Sequence, residues 1–306
     1  MTRPEPSEAP AAGDPDAVAT GETIIAVEDF ETAYDGRVVL RELDFTVRRG
    51  EVFVILGGSG CGKSTLLKHM IGLYAPTKGT IRICGDDIVA ADGETRDRIL
   101  RRIGVMYQSG ALFGSMTLRE NIRLPLEEFT SLPDGAMDAI ARLKLGLVGL
   151  AEFTEHMPAE ISGGMQKRAA IARAMALDPQ ILFLDEPSAG LDPVTSAEID
   201  DLILKLSRTL GMTFVVVTHE LDSIFAIADR ILFLDKSVKT AIALGDPRRL
   251  RDHAEQVEVR RFFHRGRDEP QAGDAAAVEP GEVEGGSGTI APITTESEAI
   301  APEEES

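Results

Sequence analysis

A glycine-rich loop between an apolar strand and a helix is the feature that most constrains what this chain can fold into. Residues 57–64 read GGSGCGKS and fit the pattern G-x-x-x-x-G-K-[ST]. The apolar run 52–56 before it predicts a buried parallel strand, and residues 65–73 after it have helical character. In that context the backbone N–H groups of the loop and the start of the helix face a phosphate. The sequence therefore predicts an α/β fold with a nucleoside triphosphate site.

Two side chains of this loop have predicted roles of their own. Lys63 supplies a positive charge to the β- and γ-phosphates and is counted among the catalytic residues. Ser64 offers a hydroxyl to Mg²⁺, which prefers oxygen ligands. The predicted nucleotide-binding residues of the loop are Gly57, Gly58, Ser59, Gly60, Cys61, Gly62, Lys63, Ser64 and Thr65.

A second apolar run, Ile181–Leu184, ends in two acidic residues, Asp185 and Glu186. Carboxylates at the tip of a buried strand are costly unless they serve an ion or a substrate, although a solvated strand end is the alternative. Asp185 suits a water-mediated contact to Mg²⁺, and Glu186 can polarise the water that attacks a phosphate. Phosphoryl transfer needs mainly positioning and charge neutralisation, which these groups supply.

Residues 161–168, ISGGMQKR, open a helix shortly before this strand and resemble the signature motif of ABC-transporter ATPases. The resemblance covers residues 24–265. It implies a P-loop NTPase cassette with a RecA-like core, an antiparallel β subdomain and a helical subdomain, and it implies ATP with Mg²⁺. In the family, two chains bind two ATP molecules head to tail, and the signature motif contacts the γ-phosphate held by the opposite subunit. The signature residues assigned to nucleotide on this basis are Ser162, Gly163, Gly164 and Gln166.

Three further positions match the family pattern. Tyr34 matches the aromatic residue that stacks on adenine, although an ordinary sheet tyrosine is the alternative. Gln108 resembles the glutamine that senses Mg²⁺ and links to the membrane subunit, although a plain loop amide is the alternative. His219 resembles the switch histidine that contacts the γ-phosphate. Ile161 and Met165 depart from the commonest family residues but remove no phosphate donor, so an active enzyme is expected.

Finer resemblance favours one branch of the family. The stretches QSGALF (108–113) and MTLREN (116–121) resemble the ATPases of Mla and Mce lipid-transport systems. The implied assembly is a homodimer with permease subunits, a Mce-domain protein and, in some systems, a STAS-type subunit. The implied location is the cytoplasmic face of the inner membrane, through the permease. An importer ATPase for a small polar solute and a regulatory ABC ATPase without a transport partner stay open as alternatives.

Charge divides the chain into a body and two acidic ends. Of the net charge of −19, residues 1–22 carry −4 and residues 266–306 carry −10. Both ends are predicted to be disordered, and residues 23–265 to form the ATPase domain, with a helical insert at about 111–160 that Pro125, Pro133 and Pro158 interrupt. The acidity argues against a nucleic-acid partner, and two cysteines favour a reduced compartment. The sequence contains no run of eighteen apolar residues, so no membrane span is predicted.

The segment VEVRRFFH, residues 257–264, is basic and aromatic. It is expected either to pack on a neighbouring subunit, as C-terminal extensions do in the lipid-transport relatives, or to form a last helix that caps its own domain. On the first alternative, deletion of residues 255–306 weakens dimerisation.

Overall fold

The computed structural model describes residues 21–264, which belong to one compact unit. The strands of this part of the chain are β1 (Thr23–Tyr34), β2 (Arg37–Arg48), β3 (Val52–Gly57), β4 (Lys78–Ile83), β5 (Asp86–Asp87), β6 (Ile103–Met106), β7 (Ile181–Asp185), β8 (Thr213–Val217), β9 (Arg230–Asp235) and β10 (Thr240–Gly245). The α-helices are α1 (Lys63–Met70), α2 (Gly93–Leu100), α3 (Leu118–Phe129), α4 (Asp134–Leu147), α5 (Gly163–Ala174), α6 (Pro193–Leu210), α7 (Leu221–Ile227), α8 (Pro247–His253) and α9 (Val257–Phe263). Short 3₁₀ turns lie at Ala151–Phe153 and Pro158–Glu160.

A six-stranded sheet in the order β10-β9-β3-β8-β7-β6 forms the centre of the fold. It is parallel from β9 to β6, and β10 pairs antiparallel with β9. Side chains alternate between its faces: Val54 belongs to the core packed against the helices, whereas Phe53 and Ile55 belong to a second core. Because both faces are covered, the parallel strands are apolar at nearly all interior positions, and their polar residues lie at the strand ends.

A four-stranded antiparallel sheet in the order β2-β1-β4-β5 covers the second core. Its contact with the central sheet includes Phe45 of β2 stacked on Phe53 of β3, with ring centroids 5.6 Å apart. Helix α1 contributes Leu66, Leu67 and Met70 to the same core. The phosphate loop is thus held between two sheets, which fixes the start of α1.

Helices α3 and α4 occupy the region predicted to be a helical insert, and their apolar faces join the core packed on the central sheet. Pro133 is the N-cap residue of α4 and Pro158 begins a 3₁₀ turn, so both lie at breaks between α-helices, as predicted. The prediction that Pro125 interrupts this region is wrong, because Pro125 lies inside α3. Leu126 follows it and is buried, so the gain from burying the helix face outweighs the one backbone hydrogen bond that proline cannot donate.

The ends of the described region depart from the predicted boundaries in one respect. The tail predicted for residues 1–22 is too long, because Glu22 already belongs to the folded part: its carbonyl accepts a hydrogen bond from the Arg49 N–H at 2.8 Å, and its carboxylate pairs with Arg49. Residues 1–20 of that tail and the tail predicted for 266–306 lie outside the described residues.

The segment 257–264 forms α9, which packs on the core of its own domain. Val259 and Phe263 are 0% and 5% exposed, and the Phe263 ring lies 5.4 Å from that of Phe225 in α7. This packing favours the alternative in which the segment caps its own domain.

Strands β9 and β10 and helices α2 and α8 were not among the predicted elements. The run ILFL at 231–234 carries the same apolar signal as the ILFL at 181–184, so β9 was detectable from the sequence. Within residues 21–264, no helix combines the length and the apolar composition that crossing a bilayer requires.

Candidate nucleotide-binding site

The loop between β3 and α1 has a backbone that only glycine accommodates at two positions. Gly57 has φ +147°, and a Cβ there would lie 2.7 Å from the sulfur of Cys61 and closer still to the Leu234 carbonyl. Gly62 has φ +106°, and a Cβ there would lie 2.9 Å from Leu40. Both φ values are costly for residues with a side chain. The glycines of the motif are therefore required by the loop shape.

The Lys63 ammonium lies inside this loop, where it donates to the carbonyls of Gly57 at 2.8 Å and Gly58 at 3.3 Å. Ser64 is exposed, whereas Cys61 is buried, and burial raises the pKa of its thiol. Helix α1 has no acidic residue in its first turn, so nothing there opposes an anion at its positive end. The loop thus presents a lysine charge and a helix start together.

Parallel pairing places the ends of several strands at one edge of the central sheet. Gly57 of β3 pairs with Leu234 of β9, and Asp185 of β7 pairs with Val217 of β8. Since ligands of open α/β sheets bind outside the carboxyl ends of the strands, this edge is the expected location of a site. The structure therefore places the phosphate loop, the acidic pair and the residues after β8 along the same edge.

Asp185 closes β7 with a buried carboxylate whose Oδ1 has no hydrogen-bond partner among the described residues. Burial raises the pKa of Asp185, the carboxylate of Glu186 raises it further, and Lys68 and Lys63 oppose these effects. An ionised carboxylate oxygen that is buried and has no hydrogen-bond partner suits a hard cation such as Mg²⁺. The hydroxyl of Ser64 and the amide oxygen of Gln108 belong to the same class of ligand, so the predicted residues fit Mg²⁺.

Glu186 is the first residue after β7 and has φ +49°, an uncommon backbone for a non-glycine residue. Its N–H donates to the Val217 carbonyl at 2.8 Å, which fixes this turn against β8. Its Oε1 lies 2.8 Å from Nδ1 of His219, and its Oε2 has no partner in the described part of the chain. Strained backbone of this kind clusters at functional sites. The predicted water-polarising acid and the predicted switch histidine are therefore in direct contact.

His219 is the more open member of this pair, with its side chain 62% exposed against 12% for that of Glu186. It follows β8 after the buried Thr218, whose hydroxyl accepts from the N–H of Glu220 at 3.2 Å. The imidazole is thus anchored at one nitrogen and presents its other nitrogen to solvent. That arrangement leaves Nε2 available for a phosphate oxygen.

Lys167 joins two parts of the site and was not identified from the sequence. Its ammonium donates to the backbone carbonyls of Gln108 and of Glu186, the latter at 3.4 Å. Burial lowers the pKa of Lys167, and the Glu186 carboxylate opposes that effect. Gln108 itself lies in an exposed turn just after β6. A lysine in a helix carries no local signal for such a bridge, because its partners are distant in sequence.

The predicted signature residues form the start of α5. The Ser162 hydroxyl caps this helix by accepting from the Met165 N–H at 3.3 Å, and Ser162 and Gly163 are exposed. Gly164 is buried against Thr195 of α6. The first turn of α5 contains no acidic residue, so its N-terminus is suited to an anion.

Gln166, which the resemblance assigns to nucleotide binding, bonds with its side chain to the backbone of the preceding segment. Its side-chain amide donates to the carbonyls of Pro158 at 2.9 Å and Ile161 at 3.3 Å, so it fixes the chain that leads into Ser162. Its role as a direct nucleotide contact stays a prediction.

Tyr34 is the last residue of β1 and is 42% exposed. Its ring contacts that of Tyr74, with centroids 6.3 Å apart at 80°. An exposed aromatic ring beside the phosphate loop helix suits a base stack. Taken with the loop, the acidic pair and His219, it defines a P-loop site of the class that binds and hydrolyses nucleoside triphosphates.

Comparison with known proteins agrees with this class. The family model described as ABC transporter matches residues 40–189. The Escherichia coli K12 intermembrane phospholipid transport system ATP-binding protein MlaF is 36% identical over 241 residues, covering 78% of this chain and 88% of that protein. Its Haemophilus influenzae namesake is 38% identical over 208 residues, covering 68% and 79%.

A third relative has a different name. The probable ribonucleotide transport ATP-binding protein mkl of Mycobacterium tuberculosis H37Rv is 38% identical over 240 residues, covering 78% of this chain and 66% of that protein. The chain therefore spans about two thirds of that relative.

Solved structures show the same fold. A dimeric ATP-binding cassette in a post-hydrolysis state, bound to ADP and Pi, has a TM-score of 0.66 at 30% identity, covering 72% of this chain and 98% of that one. The cbiO1 cassette from Clostridium perfringens, part of an ABC transporter complex, has a TM-score of 0.68 at 26% identity, covering 78% and 98%. The chain belongs to the ABC transporter family, as an ATP-binding and ATP-hydrolysing subunit.

Proposed function

We propose that this chain is the ATPase of a transporter that moves phospholipid between membranes. The support for the cargo is the identity of 36% to 38% to two intermembrane phospholipid transport ATP-binding proteins, over most of their length. The observation that carries the motor function is the contact of Glu186 with His219 at the sheet edge that also bears the phosphate loop.

Each predicted catalytic residue has a defined task in hydrolysis. Glu186 polarises the water that attacks the γ-phosphorus, while the bond from that phosphorus to the β–γ bridging oxygen breaks. Lys63 and His219 bind oxygens of the transferred phosphate. Ser64, Gln108 and Asp185 would hold Mg²⁺, which neutralises phosphate charge when bound.

The second half of each nucleotide site is proposed to come from a second copy of this chain. Ser162, Gly163 and Gly164 at the start of α5 would bind the γ-phosphate of ATP on the partner's loop. One solved relative, an ATP-binding cassette, is dimeric in two structures, which supports this arrangement. ATP would then join two chains, and hydrolysis would release them.

The assembly proposed around this dimer follows from the proposed role in phospholipid transport. Two permease subunits would hold the dimer at the cytoplasmic face of the inner membrane. A Mce-domain protein and, in some systems, a STAS-type subunit would complete it. The segment from Gln108 to Pro125 would receive the permease.

A second candidate keeps the motor and changes the cargo. The mycobacterial relatives are named for probable ribonucleotide transport, and they are as similar to this chain as the phospholipid proteins. A small polar solute is therefore the alternative cargo. A regulatory ATPase without a permease is the alternative outside transport.

Purification from membranes under mild detergent separates these functions. A permease with a Mce-domain protein and bound phospholipid, identified by mass spectrometry, is the expected result. A permease with a soluble solute-binding protein would overturn the lipid cargo, and recovery without any membrane protein would overturn the transport function.

Replacement of Glu186 by glutamine tests the motor itself. Because the amide keeps the size of the side chain but is a poor base, ATP binding should persist, while turnover falls about 10²- to 10⁴-fold. The variant should accumulate as an ATP-bound dimer in size-exclusion chromatography. Glu198→Gln, at an exposed position on α6, is the matched control and should leave turnover unchanged. Turnover by Glu186→Gln at the wild-type rate would remove Glu186 from the catalytic role.

A further inference from the structure

A buried histidine joins the strand that carries Tyr34 to the helix that follows the phosphate loop. His69 of α1 is 1% exposed. Its Nδ1 lies 2.8 Å from the carbonyl oxygen of Thr65, and its Nε2 lies 3.1 Å from the hydroxyl of Thr32 in β1. Thr32 is itself 2% exposed, so this bridge is shielded from water.

The two partners determine the proton positions on this imidazole. A carbonyl oxygen only accepts, so Nδ1 carries the proton, and Nε2 then accepts from the Thr32 hydroxyl. Burial lowers the pKa of His69, which keeps the ring neutral. A neutral ring with one donor and one acceptor matches both partners, so each hydrogen-bonding atom of the bridge is used.

The same imidazole lies beneath two exposed aromatic rings. Its centroid is 6.5 Å from that of Tyr34 and 5.9 Å from that of Tyr74. Tyr34 and Tyr74 are 42% and 48% exposed and contact each other edge to face. The position of the Tyr34 ring is therefore set by neighbours that belong to α1 and to the segment just after it.

We propose that His69 and Thr32 are positioning residues that hold the Tyr34 ring at a fixed distance from the phosphate loop. The inference rests on the proposed nucleotide site, with the base on Tyr34 and the phosphates on the loop. A nucleotide that contacts both must span the gap between β1 and the start of α1. His69 connects these two elements directly, since Thr65 lies one turn before it in α1 and Thr32 lies two residues before Tyr34.

Loss of the Thr32 hydroxyl should affect the base and not the phosphates, because the bond from His69 to Thr65 of the predicted loop site remains. Lys63 and the loop backbone are held by β3 and by the glycines, and these do not depend on Thr32. Loss of the bridge should therefore weaken the binding of nucleotides and leave the binding of a ligand without a base unaffected. Every base has a face that can stack on an aromatic ring, so the binding of ATP and of GTP should be weakened to the same extent.

The test uses the full chain and two ligands, ATP and inorganic tripolyphosphate. Thr32→Val removes the hydroxyl and keeps the shape, while Thr32→Ser keeps the hydroxyl and is the matched control. Thr32→Val should raise the Kd and KM for ATP about fivefold, which is at the low end of what stacking of a base on an aromatic ring contributes, with kcat within about twofold of wild type. The Kd for tripolyphosphate should stay the same, and Thr32→Ser should behave as wild type.

His69→Asn is the second variant, because its amide can replace the bond to Thr65 but cannot reach Thr32. It should reproduce the Thr32→Val phenotype, and thermal unfolding checks that both variants are folded. Adding Thr32→Val to Tyr34→Ala should cause no further loss of ATP affinity, since the ring to be positioned is gone.

Each contrary result has a distinct meaning. An unchanged ATP Kd in folded Thr32→Val and His69→Asn would overturn the inference while leaving the proposed function intact. Equal weakening of ATP and tripolyphosphate would also overturn it, because the bridge would then act through the loop. Wild-type protein that binds neither ligand would overturn the proposed function itself.

Discussion

Replacing Gly164 by alanine adds a methyl group where α5 packs closely on α6. The added Cβ would lie 2.3 Å from Cγ2 of Thr195, whereas carbon atoms in contact normally lie about 3.5–4.0 Å apart. One of the two helix starts must therefore move by roughly 1 Å. Thr195 cannot simply rotate, because its hydroxyl donates to Asp192 at 2.6 Å.

The size of the effect follows from two opposing contributions. Alanine is favoured over glycine within a helix by about 1 kcal/mol. Overpacking of a well-packed contact costs about 1–3 kcal/mol. The net expectation is a loss of up to about 2 kcal/mol in the free energy of unfolding. Because a misplacement of about 1 Å in a reaction site can cost roughly 10²-fold, ATP turnover should fall by one to two orders of magnitude.

Urea unfolding and steady-state ATPase assays of four variants test this prediction. Gly163→Ala is the stability control, since its Cβ would lie 3.6 Å from Leu191 and should not destabilise the fold. Thr195→Ser removes the methyl group but keeps the hydroxyl, so it should be close to wild type alone and should rescue Gly164→Ala. Failure of this rescue, with stability and turnover both still low in the double variant, would refute the steric explanation.

Two further predictions concern stability. Burial raises the pKa of Asp200 to about 6 from an ordinary 3.8, so the folded state favours the protonated acid. The free energy of unfolding should therefore fall as the pH rises from about 4 through 6, by roughly 3 kcal/mol in all. The stability of Asp200→Asn relative to wild type should therefore increase from pH 4.5 to 7.5, as measured by urea midpoints at each pH. A difference between the two proteins that does not change with pH would contradict the pKa shift. Phe263→Ala should lose about 3–5 kcal/mol in denaturant unfolding because Phe263 is buried in the core, whereas Val257→Ala, 44% exposed on the same helix, should change stability by less than about 0.5 kcal/mol. Equal effects of the two substitutions would show that α9 does not cap its own domain.

Much of the site was predictable because its signals are local. The phosphate loop is eight consecutive residues between a strand and a helix, and the start of α5 is a short motif of the same kind. Asp185 and Glu186 follow directly from an apolar strand. In each case the chemistry requires neighbouring residues, so a short window of sequence contains the information.

The remaining contacts join residues that lie too far apart in the sequence to fall within one short stretch. Glu186 and His219 meet because β7 and β8 are paired, and Lys167 contacts the carbonyl of Gln108, which lies 59 residues earlier in the chain. The error at Pro125 has the same origin, since burial of the helix face overrides a local helix breaker. The bridge from Thr32 to His69 was likewise not visible before the two sheets were placed.

The sequence by itself determined the class of fold and the phosphate loop, and it predicted most of the candidate phosphate-binding residues, because these depend on local backbone shape and on residue type. Only the tertiary structure decided which side chains meet. The contact of Glu186 with His219, the burial of Asp200 and the support of Tyr34 by His69 depend on how strands and helices pack. Packing is set by the summed burial of many residues distant in sequence, so it is not encoded at any single position.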